Sequence, residues 1–139
     1  MGIWGTGNFE NDAAADWLYD FGENDFRLID RTLAGVAGMI EADELDAFEA
    51  QEVLAAAECV AAAIGFPTDN PPEELAEWLA ENSPMQVKPE YVEMARKAVA
   101  RVLSKSELRE LWLESDEFGV WETAVLNLQS RLNQISAEE

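Results

Sequence analysis

The chain has 139 residues, 48% of them hydrophobic, and carries 29 acidic against 9 basic side chains, for a net charge of −20. Such a length and apolar content support one folded domain with its own core and argue against a disordered chain. The charge disfavours phosphate backbones and anionic lipid surfaces, so neither nucleic acid nor membrane is an expected partner, and a cationic protein is.

The opening Met1-Gly-Ile-Trp-Gly-Thr-Gly-Asn-Phe9 is rich in glycine and carries two large aromatics. Gly5 and Gly7 suit tight turns, and Trp4 and Phe9 are costly to leave in water, so this segment is expected to be irregular but pinned to the core. Asn11 is a good N-cap, with Asp12 favourably placed in the first turn. The helix it opens carries Trp17, Leu18 and Phe21 and is expected to stop at Gly22. Asn24 then caps a second helix, in which Phe26, Ile29, Leu33, Val36 and Ile40 recur at alternating spacings of 3 and 4, an amphipathic stripe.

Acidic residues around Glu41 to Glu44 interrupt that pattern and suggest a turn. A third helix follows from about Leu45 to Ile64, ended by Gly65 with Pro67 beyond it. Its small side chains between Val53 and Ile64 predict a central position that neighbouring helices approach closely. The segment Asp69-Asn-Pro-Pro72 starts a short helix carrying Leu75, Trp78 and Leu79, with Ser83-Pro84 as its stop. Pro89 opens the next, with Val92, Ala95, Val99 and Val102 as its buried stripe. Ser104 or Ser106 restarts a helix bearing Leu108, Leu111 and Trp112. After a cap at Ser115-Asp116, the last helix places Phe118, Trp121, Val125, Leu128, Leu132 and Ile135 on one face. No strand or hairpin signal appears. The expectation is an all-α, single-domain bundle of six to seven helices over residues 1–135, with a disordered tail at 136–139.

The acidity is uneven. From Thr32 to Val87 there are 12 acidic side chains and no basic one. Glu41, Asp43, Asp46, Glu49 and Glu52, followed by Glu73, Glu74 and Glu77, fall away from the apolar stripes and form the expected partner-binding surface. This suggests an acidic protein-binding module, in its most concrete form an inhibitor or immunity-type protein that covers the basic active site of a toxin. The alternatives are a carboxylate-based metal-dependent enzyme and a small-ligand-binding domain.

With no histidine, a Ser-His-Asp or Cys-His arrangement cannot form, and imidazole metal sites are excluded. We therefore expect no catalytic residues, no metal site and no cofactor. Asp12, Asp16 and Asp20 recur every four residues, but carboxylates on a single helix face diverge, whereas Mg²⁺ and Ca²⁺ need converging ligands. Glu58 is the exceptional single residue, a lone carboxylate within the alanine-rich third helix. If buried it needs a partner: Arg27, Arg31, Arg96 or Arg101 could reach it from a neighbouring helix, or a backbone amide or a tryptophan N–H could donate. Cys59 beside it is the chain's single cysteine and reads as a small core residue. The five tryptophans, Trp4, Trp17, Trp78, Trp112 and Trp121, read as core. No basic n-region precedes an apolar stretch at the start, and the apolar runs are too short to span a bilayer, so a cytoplasmic protein is expected.

Three segments carry a resemblance: M-G-I-W-G-T-G-N-F-E-N-D-A-A-A-D-W at 1–17, L-A-A-A-E-C-V-A-A-A-I-G-F-P at 54–67 and E-L-R-E-L-W-L-E-S at 107–115. The chain resembles a bacterial family catalogued as domain of unknown function 4259. The resemblance implies a free-standing bacterial protein and draws attention to residues 4–17 and to Glu58, without transferring an activity.

Overall fold

The computed structural model describes residues 7–40, 42–69, 71–82 and 87–138, with the side chains of 22–25 and 135–138 outside the description. Six helices follow in order: α1 Asp12–Ala37, α2 Ala47–Ala63, α3 Glu73–Asn82, α4 Pro89–Ser104, α5 Glu107–Leu113 and α6 Phe118–Glu138. No strand occurs among the described residues, so the fold is all-α. The expectations for Trp4, Glu41 and the stop at Ser83-Pro84 lie outside these residues.

The caps explain most of the boundaries. Asn11 accepts a hydrogen bond from the Ala14 amide at 2.8 Å and starts α1. Asp46 does the same for the Glu49 amide at 2.7 Å and starts α2, and Ser106 starts α5 through the Arg109 amide at 3.1 Å. α2 ends where Gly65 takes a φ of +102°. There the Phe66 amide reaches back to the Ala61 carbonyl at 2.8 Å, a closure that favours a glycine in the left-handed region.

One expected boundary is absent. The two helices expected between Asn11 and Ile40 are a single 26-residue helix. A glycine inside a helix costs only about 0.5–1 kcal/mol, and the apolar stripe stays in phase across Gly22. Ala14, Phe21 and Leu28 are seven residues apart, as are Ile29 and Val36, and all five are buried. Packing of that continuous face outweighs the local break signal. The helix then ends at Gly38, so Ile40, expected in the stripe, is exposed. The last turn of α6 includes residues 136–138, for which composition suggested a tail.

α2 is the central helix, and its residues from Val53 to Ala62 are all buried. The other five helices pack around it. A run of rings joins α1, α3 and α4: Trp17 stacks on Phe21 with centroids 5.3 Å apart. Phe21 meets the edge of Trp78 at 4.8 Å, and Trp78 meets Phe26, which stacks on Tyr91. The Trp17 indole N–H donates to Thr32 Oγ1 at 2.8 Å, so its polar edge is satisfied inside the core. Phe9 is half-buried against this core, while Trp121 is buried and Trp112 half-buried.

Candidate functional site

The inward face of α2 carries Glu58, 2% exposed. An ionised carboxylate there needs a positive partner and enough donors to replace water. Arg131 of α6 supplies the charge in a two-pronged pair, its Nη1 donating to Glu58 Oε1 and its Nη2 to Oε2, each at 2.8 Å. Asn8 Nδ2 donates to Oε2 as well, at 2.8 Å. The guanidinium is fixed in turn by Asn127 Oδ1, which accepts from Nε at 2.8 Å, and by the Phe66 carbonyl, which accepts from Nη1 at 3.2 Å. The N-terminal segment, the α2 C-terminal turn and α6 therefore meet at one buried ion pair.

The partner is not one of the four arginines expected from sequence. Arg101 ties down the loop between α1 and α2, donating to the carbonyls of Ile40, Asp43 and Lys105. Arg96 donates to the Leu132 carbonyl and pairs with Glu93 at 3.3 Å. Arg31 lies near enough to Glu52 to lower its carboxyl, and Arg27 is exposed. Arg131 lies 73 residues from Glu58. One signal for it was present: it is the single basic residue of α6, four residues after Asn127 and next to the buried Leu132. Beside Glu58, burial pushes the Cys59 thiol well up, and the neighbouring carboxylate adds to the shift. Cys59 is thus a neutral core group.

This ion pair forms part of the wall of a cleft of about 540 Å³ between residues 7–10, Thr68 and α6. At its edge the Gly7 amide donates to Glu10 Oε1 at 2.9 Å. A Cβ at position 7 would sit 2.6 Å from that oxygen, so the contact as it stands requires glycine.

A second region lies on the outside of α2. Asp43, Asp46 and Glu49 are exposed and Glu52 is half-buried. The carboxyl of Glu49 is raised above the ordinary glutamate range, first by burial and then by the charge of Asp46. Glu52 is raised as well, by burial first and then by Glu49, Asp46 and Asp20, with Arg31 opposing. Asp20, assigned from sequence to an α1 stripe, therefore joins the α2 carboxylates. Glu73, Glu74 and Glu77 are exposed on α3 and are not among the groups acting on Glu49 or Glu52.

Asp43 and Asp46 also have backbone roles, since the Asp43 carboxylate accepts from the Ile40 amide at 2.9 Å and Asp46 caps α2. They share a cleft of about 340 Å³ with Glu107 and Glu110 of α5, two acidic residues left out of the expected surface. Among the described residues, no three carboxylate or thiol groups converge as a metal site. Phe48 and Tyr19 are exposed at 57% and 75%, next in sequence to Glu49 and Asp20.

Among the described residues, no helix is long and apolar enough to cross a membrane. Neither curated proteins nor solved structures yield a match. The profile of one family, described as Domain of unknown function (DUF4259), matches residues 2–124. That span includes Asn8, Glu58 and the α2 carboxylates but stops before Asn127 and Arg131. With most of the chain matched, this all-α protein belongs to the DUF4259 family.

Proposed function

We propose that the chain is a binding module whose carboxylates on the outer side of α1 and α2 engage a cationic protein. The observation that carries this reading is the state of Glu49 and Glu52. Both are raised by burial and by neighbouring carboxylates, with only Arg31 opposing at Glu52. A positive side chain arriving there would relieve repulsion that the free protein has to carry. Exposed Phe48 and Tyr19 offer aromatic contact beside the acidic groups, the pairing of apolar anchor and charged rim common in protein interfaces. In its concrete form the module is an inhibitor or immunity-type protein that covers a basic surface on a toxin.

Association should be steered by charge, and its on-rate should fall as salt rises. The test is recovery of a partner from bacterial lysate with the full chain, followed by binding kinetics over a salt series. Charge reversal by Glu49→Lys with Glu52→Lys should weaken binding by about tenfold or more, while Glu138→Lys should leave it unchanged. An acidic partner, or binding indifferent to both salt and reversal, overturns the proposal.

A further inference from the structure

We draw no further inference here: the strongest candidate, the cavity of about 240 Å³ between α1 and α2 lined by Asp20, Arg31, Glu49 and Glu52, belongs to the acidic face already described, and nothing further among the described residues points to a ligand in it.

Discussion

Two parts of α2 handle carboxylates in opposite ways. Glu58, on the inner side, is almost fully buried, yet it is met by both prongs of an arginine and by an amide N–H. Glu49 and Glu52, near the outer start of the same helix, are more open to water and stand among other carboxylates. The interior position is the compensated one, and the surface positions carry the repulsion. At Glu49 and Glu52 burial comes first and neighbouring carboxylates add to it, whereas the deeper Glu58 is met by an arginine and an amide N–H. A fold has reason to complete a buried pair. Backbone capping accounts for Asp43 and Asp46 on the surface but not for Glu49 and Glu52 beside them, and that contrast is what the proposed recognition role rests on.

The comparison breaks most visibly if the inner pair is not a real one. Arg131→Ala would leave Glu58 buried and unpaired, at an expected cost of about 3–5 kcal/mol, read from urea denaturation of the full chain. Replacing Glu58 and Arg131 together by leucine should cost less than either single truncation to alanine, because no buried charge then remains. A loss below about 1 kcal/mol for Arg131→Ala, within the range of exposed ion pairs, would mean that the pair contributes as a surface pair does.

Two helix starts sharpen the contrast at a smaller scale. Asn11 and Asp46 each cap a helix through one backbone amide, and losing such a cap costs about 0.5–2 kcal/mol. Asn11→Ala should show that loss in full. Asp46→Ala should lose less, since it also removes a charge that presses on Glu49 and Glu52. Equal losses in the two variants would show that Asp46 does not destabilise its neighbours measurably.

How much of this was legible in the sequence follows the reach of each interaction. The Asn11 cap, the Gly65 stop, the proline opening α4 and the stripe of α6 from Trp121 to Leu132 depend on residues a few positions apart, and all are where local reasoning puts them. The depth of Glu58 was also legible, from the small apolar residues around it. Its partner was not, because local pattern marks Arg131 as the single basic residue of α6 but does not say which helix will lie beside a residue 73 positions away. The continuity of α1 failed for the converse reason. Gly22 and Asn24 are genuine local break signals, and tertiary packing of Phe21, Leu28 and Ile29 outweighs them. Among the acidic residues, composition located the charge but not its grouping. Asp20 from α1 and Glu107 and Glu110 from α5 join the α2 carboxylates only through the folded arrangement.

The smallest expected effect is also the most specific to the outer group. Glu52 is raised in the folded chain, so between neutrality and the ordinary glutamate range the native state holds more of a proton there than the unfolded state does. Stability from this group is therefore fully present at low pH and is lost as pH rises through the raised value. Glu52→Gln removes the titration and the charge but nearly preserves the shape. At neutral pH the variant should be slightly more stable than the parent, by a few tenths of a kcal/mol, as is usual for a surface change. The advantage should shrink towards zero as pH falls into the range where Glu52 takes up its proton. Paired urea titrations at several pH values measure that difference directly and cancel the other titrating groups common to both chains. A difference that stays constant with pH would attribute the effect to packing or hydrogen bonding of the amide, and the repulsion argument for the outer face of α2 would lose its basis.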